Sequence, residues 1–210
     1  MSNYTWSHCI SDADLTSEAA GTGRENPYSL SFERGNCNFH VSSLFNLSGV
    51  ATVPGFGTGV KQKIIRNWQF SPIITWRSGS VLNITDGGQD ISGTAQLNDR
   101  PNQVLANPYP NIKTTGAWFN PAAFAKQAAG TFGNVHRNSL YGPGAFTFDA
   151  SVSRLFHVEK VGLMFRLDAF NALNHPTWNN PTLSITSANF GKITTFGSPR
   201  ILQVGAKVSF

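Results

Sequence analysis

ILQVGAKVSF, the segment at residues 201–210, shows the clearest repeating pattern in the chain. Its apolar side chains occupy every second position, as in Leu202, Val204, Val208 and Phe210, and the positions between them are polar or glycine. Successive side chains of a β-strand point to opposite faces of the sheet. The segment is therefore predicted to form a strand with one apolar face and one water-exposed face.

Five more segments show the same period of two. They lie at residues 161–169, 146–152, 68–76, 39–47 and 4–10. Pro72 interrupts one of them, and because proline cannot donate to a ladder, we expect a bulge or a locally unpaired position there. Helical periodicity is rare along the chain. The sequence thus predicts an all-β antiparallel fold of six strands.

The connections between these segments alternate between long and short. Residues 11–37, 83–144 and 174–199 form long connections, whereas 51–62 and 157–160 form short ones. A transmembrane β-barrel has short turns on its periplasmic side and long loops outside, because consecutive strands reverse direction. We therefore predict a segment of an outer-membrane barrel whose apolar faces meet lipid. Aromatic residues near the predicted strand ends are expected to form the girdles at the membrane interfaces, and they are Trp68, Trp76, Phe156, Trp178 and Phe210. A soluble β-sandwich, in which the aromatic residues form a core, is the alternative.

Composition limits the remaining possibilities. Only 13% of residues are charged, and no run of 18 apolar residues could form a transmembrane helix. The net charge of +5 is dispersed, which argues against nucleic acid as a partner. The first residues do not resemble a signal peptide, so we expect an export signal upstream. Six strands cannot close a barrel, since the smallest have about eight, and we expect residues 1–210 to be part of a longer protein.

No convergent catalytic set is evident, so we predict that the chain is not an enzyme and has no cofactor. The histidines, His8, His40, His136, His157 and His175, have no metal-binding spacing. The stretch DGGQD at 86–90 faintly resembles a calcium loop, and a glycine-rich turn is the preferred interpretation. Asp149, Arg166, Asp168 and Lys207 lie on neighbouring polar faces and are predicted to form an ionic cluster in the lumen. The expected role of this cluster is structural, and contact with substrate or with the plug is the second possibility.

Two cysteines, Cys9 and Cys37, lack the spacing of a zinc or thioredoxin-like site. They are expected near the external ends of adjacent strands, where a disulfide would tether the first long loop. A bridge requires Cβ atoms that face each other, so the sequence leaves bridged and free cysteines both open.

Several motifs support a family resemblance. They are FRLDAFNALNHPTW at 165–178, NDRPN at 98–102, WFNPAAF at 118–124, FGN at 132–134 and PRILQVGAKVSF at 199–210. Together they resemble the C-terminal barrel region of TonB-dependent outer-membrane receptors, particularly the Oar-like group of acidobacteria. The resemblance implies a barrel of about 22 strands with a plug driven through TonB. The plug and the N-terminal region have no counterpart in this chain.

The chain's last residues are also similar to the signature by which the barrel-assembly machinery recognises its clients. That similarity implies an assembly signal at Phe210, Val208 and Val204. The expected partners are outer-membrane lipid, the assembly machinery, the missing barrel and plug regions, TonB, and an unidentified extracellular ligand taken up across the membrane. A passive porin segment and a secreted or surface adhesion or carbohydrate-binding module are the alternative functions.

Overall fold

The computed structural model describes residues 1–12, 24–54, 59, 66–97, 99–158 and 160–210. Six main strands dominate it: β1 (Ser2–Trp6), β2 (Ser43–Ser48), β3 (Trp68–Arg77), β4 (Ala145–Val158), β5 (Val161–Phe170) and β6 (Ile201–Ser209). Shorter elements are the strands Ile10–Ser11, Gly35–Asn36, Ala51–Thr52, Val81–Leu82, Asn102–Gln103, Phe124–Ala125 and Leu140–Tyr141, the helix Leu30–Glu33 and the 3-10 turn Pro121–Ala123.

The six main strands form one sheet in chain order, from β1 at one edge to β6 at the other. Each pairs with the next in antiparallel fashion, and Ala51–Thr52 adds a short pairing to β3. The all-β antiparallel prediction is therefore confirmed, and the six predicted segments supply six of the seven strands of this sheet. Within the described residues the sheet is open, with β1 and β6 as its two edges.

Three strands begin or end differently from the prediction, and one of them, β4, runs to Val158 instead of ending at residue 152. The first was expected to reach Ile10, but β1 ends at Trp6, and Ile10 pairs with Asn36 in a separate small sheet. The second was expected from residue 39, yet β2 begins at Ser43. In the sequence, the alternation continues past the end of β1 and before the start of β2. The residues concerned lie in locally ordered loops and not in the main sheet.

Pro72 lies inside an unbroken β3, in register with Ala150 of β4. Its carbonyl oxygen accepts a hydrogen bond from the Gly49 N–H at 3.2 Å, so its missing donor faces the same neighbour. There, Gly49 and Val50 separate β2 from the strand Ala51–Thr52. The expected unpaired position therefore lies on the adjacent strand, and β3 has no bulge.

The buried hydrophobic core lies in the connections and not in the main sheet. Its members all fall outside the six strands: Leu82, Ile84, Trp118, Phe119, Ala123, Phe124, Val135, Leu140, Phe190 and Ile193. Among the described residues, no helix has the length and apolar character needed to cross a bilayer.

Candidate functional site: a two-faced sheet and its loop body

The strand register places the apolar side chains of the sheet on one face. Residues directly opposite each other in an antiparallel ladder project to the same side, and the ladder joins Phe70 to Val152, Val152 to Leu167, and Leu167 to Val204. Extending these pairs gives a continuous apolar face made of Tyr4, Trp6, Phe45, Leu47, Trp68, Phe70, Ile74, Trp76, Phe146, Phe148, Phe156, Leu163, Phe165, Leu202 and Val208.

This apolar face is largely uncovered. Val204 is 79% exposed, Trp6 68% and Leu202 62%, with no described element packed over them. A soluble monomer seldom exposes an apolar patch of this extent, because contiguous patches of more than a few hundred Å² mark interaction surfaces. The face therefore needs an apolar environment to cover it.

The opposite face is polar and carries part of the predicted ionic cluster. Arg166 Nε lies 2.8 Å from Oδ1 and 2.9 Å from Oδ2 of Asp168, two residues along β5 on the same face. The Arg166 side chain is 56% exposed, so water screens this pair and it contributes little to stability.

The other two predicted members do not join that pair. Asp149 Oδ1 instead accepts a hydrogen bond from the Asn171 backbone N–H at 2.8 Å, where β5 ends. Lys207 is in register with Met164 and forms no ion pair with a described residue. The four-residue cluster therefore reduces to Arg166 and Asp168, because strand register separates groups that share a face.

The end of β5 is organised by two asparagine residues, and the role of Asn171 was not predicted from the sequence. Asn171 and Asn174 adopt positive φ angles of 48° and 51°, which turn the chain away from the sheet. The Asn171 amide donates to the carbonyls of His175 and Ser198, and its oxygen accepts from the His175 N–H at 2.9 Å. His175 is thus a turn residue, and its ring packs edge-on against Phe146.

The three long connections fold together into one unit, here called the loop body: the described parts of residues 7–42, 78–144 and 171–200. The second and third connections are joined by backbone bonds such as Trp118 N–H to the Gly191 carbonyl at 2.7 Å. At the centre, the fully buried Phe119 ring contacts the rings of Tyr109, Phe124 and Phe190. Trp178, expected in a membrane girdle, instead packs edge-on against Trp118.

A buried ion triad attaches the first connection to the second. Arg100 places Nη1 at 2.9 Å from Glu33 and Nε at 2.9 Å from Glu25, and all three side chains are under 5% exposed. One guanidinium group thus contacts two buried carboxylates, and the Glu33 carboxylate accepts hydrogen bonds from both of its Nη atoms. Burial, only partly offset by Arg100, raises the pKa of the Glu25 carboxyl to about 7.

Cys9 and Cys37 form a disulfide with their Cα atoms 5.5 Å apart. The bridge lies where the first connection leaves and re-enters the sheet. His40 adds to this junction, since its Nδ1 accepts from the Cys9 N–H at 3.3 Å and its Nε2 lies 3.2 Å from the Ser42 hydroxyl. Burial lowers the pKa of His40, which favours the neutral ring that accepts this bond.

A groove of about 590 Å³ opens on the loop body. One histidine and six uncharged residues line the groove: Gln103, Pro108, Tyr109, Asn134, His136, Ser139 and Leu140. Hydrogen bonds between Asn134 and the backbone of Gln103, and between Tyr109 and Tyr141, hold its walls in place. The groove is therefore a preformed polar surface with apolar patches.

Two of the acidic residues in and near the suspected calcium loop, Asp90 and Asp99, are occupied by backbone amides. Asp90 accepts hydrogen bonds from the N–H groups of Gly93, Thr94 and Ala95. Asp99 likewise accepts from the N–H groups of Ile91 and Ser92. These bonds lower the pKa of Asp90 and make the segment a carboxylate-capped turn. Among the described residues, no three potential metal ligands converge.

Comparison with known families connects the two-faced sheet to a membrane. The family model described as "Outer membrane beta barrel domain" matches residues 1–203. The chain belongs to this family. No curated protein and no solved structure matches it. In an outer membrane β-barrel we expect the apolar face to meet lipid and the polar face to meet water, with the long connections, hence the loop body, on the extracellular side.

The lengths of four strands fit this assignment, whereas β1 and β2 have only 5 and 6 residues. β3 and β5 have 10 residues and β6 has 9, close to the 9–11 that a tilted strand needs to cross the bilayer. β4 has 14 residues because its neighbours are staggered. The part of β4 that pairs with β3 ends at Arg154, whereas the part that pairs with β5 ends at Val158, four residues further on. Such a stagger is typical of strands that tilt against a barrel axis.

Proposed function

We propose that the chain forms part of the barrel of a TonB-dependent receptor, which takes up an unidentified ligand across the outer membrane. The observation that supports this most directly is the loop body. Three connections share one hydrophobic core and present a preformed groove, which a passive pore does not need. The family resemblance of the stretch at 165–178 supports the same proposal.

The sheet's shape supports contact with further barrel strands and with a plug. β1 and β6 both present open edges, and in a bilayer every backbone amide must be paired, so additional strands are needed to close the barrel. The polar face also carries exposed apolar side chains, among them Ile73, Leu155, Phe170 and Ile201. Water alone covers such side chains poorly, whereas a plug would pack against them.

Conductance separates a plugged receptor from a porin. The full-length gene product, purified from outer membranes and inserted into a planar lipid bilayer, should show little steady current, because a plug blocks the lumen. A deletion of the plug should give large open channels. Constitutive conductance from the intact protein would favour a passive porin and contradict the proposal.

Binding to TonB provides the second arm. The periplasmic domain of TonB should bind the full-length protein in detergent. Deleting the receptor's N-terminal TonB-contacting segment should abolish that binding. Absence of binding by the intact protein would separate this chain from energised uptake even if the barrel itself assembles normally.

A surface adhesion or carbohydrate-binding module is the second candidate, and the groove favours it. Gln103, Asn134 and Ser139 are neutral hydrogen-bonding groups beside the Tyr109 ring, a combination suited to sugars. Expression of residues 1–210 without detergent distinguishes the two candidates. A compact soluble monomer would support the module, and aggregation relieved by detergent would support the barrel.

A further inference from the structure

The groove on the loop body is built from a part of the chain that has no acidic residues. All of its lining residues lie between Gln103 and Leu140, and residues 101–148 contain no aspartate and no glutamate. The same range contains two lysines, one arginine and one histidine. A cleft in such a segment attracts negative charge, because no carboxylate of the segment offsets its cations. The groove therefore favours an anionic ligand over a cationic one.

Lys113 places a positive charge at the wall of the groove. Its Nζ lies 3.6 Å from the centre of the Tyr109 ring, which lines the groove, and 4.9 Å from the centre of the Trp118 ring. The Tyr109 hydroxyl and the Trp118 indole N–H both form hydrogen bonds with the backbone of Tyr141, which fixes the two rings. Cation–π contacts with two fixed rings hold the ammonium group beside the groove.

The Lys113 ammonium is open to a ligand. Lys113 is exposed and forms no ion pair with any residue that the structure describes. The other lysine and the arginine of the segment are engaged elsewhere, since Lys126 donates to the Gln89 side chain and the buried Arg137 donates to the Glu33 carbonyl. Desolvation by the surrounding protein lowers the pKa of Lys113. An anion beside the ammonium would compensate for this loss of hydration.

Polar side chains in the rest of the groove can form hydrogen bonds with hydroxyl groups. The Ser139 hydroxyl donates to the His136 carbonyl, and its oxygen can still accept. Gln103 donates its amide to the carbonyls of Leu105 and Ala106, whereas no described residue donates to its side-chain oxygen. A ligand with an acidic group and several hydroxyl groups therefore matches the groove, and an acidic sugar has this composition.

We propose that the groove binds an acidic oligosaccharide and that Lys113 contacts a carboxylate of this ligand. The sugar hydroxyls then form hydrogen bonds with Gln103, His136 and Ser139. The inference rests on the proposed function and deepens it, because it names the chemical class of the ligand that the receptor takes up. A neutral sugar would satisfy the uncharged side chains alone and would leave the Lys113 charge without a partner.

The test measures binding to the full-length protein in dodecyl maltoside, without TonB, by isothermal titration with an oligogalacturonate as the probe. The matched neutral ligand is the same oligomer with its carboxylates methyl-esterified. Wild type should bind the acid roughly three- to tenfold more tightly than the ester, as expected for one exposed charge-assisted contact. Added salt should reduce this difference. Lys113→Gln should remove the preference for the acid, and Lys113→Arg should keep it.

Two control variants separate this contact from other effects. Lys126→Gln removes a lysine of the same segment that does not line the groove, and it should leave the preference for the acid unchanged. Ser139→Trp fills the groove from an exposed lining position, and it should abolish the binding of acid and ester alike. Heat-dependent migration on gels verifies that each variant is folded.

Several results would overturn the proposal. They are an unchanged preference in folded Lys113→Gln, an equal loss of preference in Lys126→Gln, and binding that survives in folded Ser139→Trp. Full competition by inorganic phosphate would indicate a site for any small anion, and it would also overturn the proposal. If folded wild type binds neither oligomer, the assigned ligand class is wrong. The uptake proposal is then still decided separately, by conductance and by binding to TonB.

Discussion

Replacing Val204 by arginine probes the lipid-facing side of the sheet at its centre. Val204 lies near the middle of β6, is in register with Leu167, and is 79% exposed on the apolar face. An arginine at the bilayer midplane costs about 2–4 kcal/mol in a transmembrane barrel. Since about 1.4 kcal/mol corresponds to a factor of ten, the folding equilibrium should fall roughly 30-fold to several hundredfold. No side chain on the adjacent strand offers compensation, because Leu167 is apolar.

The neighbouring residue supplies a matched control. Gln203 lies on the polar face and is in register with Asp168, so Gln203→Arg places the same side chain in water beside a carboxylate. Its expected cost is within about 0.5 kcal/mol, as for an ordinary surface substitution. The assay is urea unfolding of the full-length protein in lipid bilayers, with heat-dependent gel migration in cells. Equal effects of the two substitutions, or a neutral Val204→Arg, would refute the assignment of faces.

Three further predictions concern the loop body. Replacing both Cys9 and Cys37 by serine should destabilise the first connection by about 3–4 kcal/mol, the value expected for closing a loop of this length, and tryptic cleavage at the exposed Arg34 should accelerate. Phe119→Ala should cost about 3–5 kcal/mol in the loop body, increasing its protease sensitivity while the barrel still assembles. The raised pKa of Glu25 means that the docked loop binds a proton between about pH 4.5 and pH 7 that the undocked loop releases. Attachment of the first connection through Glu25 should therefore be strongest below pH 4.5 and weaken as pH rises through 7. Hydrogen exchange near residues 24–34 measures this effect. Glu25→Gln should remove the pH dependence, and a variant that keeps the wild-type pH profile would contradict the assignment.

The main sheet could be predicted from the sequence because its signal is local. Each strand reveals itself by alternation within about ten residues, and the order follows from chain reversal at short turns. Errors occurred where alternation continued past the sheet, as at Ile10 and Phe39. Pro72 shows a second limit of sequence-based prediction. Its lack of an N–H indicates that a hydrogen bond is lost, but the sequence does not show which neighbouring strand loses it.

The loop body could not be predicted, because its contacts join residues that are far apart in sequence. Glu33 meets Arg100, and Phe119 meets Phe190, without any periodic pattern that connects them. Trp178 shows the consequence: an aromatic residue close to a strand end was assigned to a membrane girdle, whereas it packs in the loop body. The lumen cluster shows a similar limit, since a shared polar face does not determine which residues stand opposite one another, and the structure pairs Arg166 with Asp168.

Spin-label accessibility along β6 tests the central claim most directly. Single labels at each position from Leu202 to Val208 in the full-length protein, reconstituted in bilayers, are measured with oxygen, which concentrates in lipid, and with a water-soluble nickel chelate. Leu202, Val204 and Val208 should be accessible to oxygen, while Gln203 and Lys207 should be accessible to nickel, in strict alternation. Protection of Val204 from both reagents would mean that protein covers the apolar face, and the membrane-spanning account would be wrong.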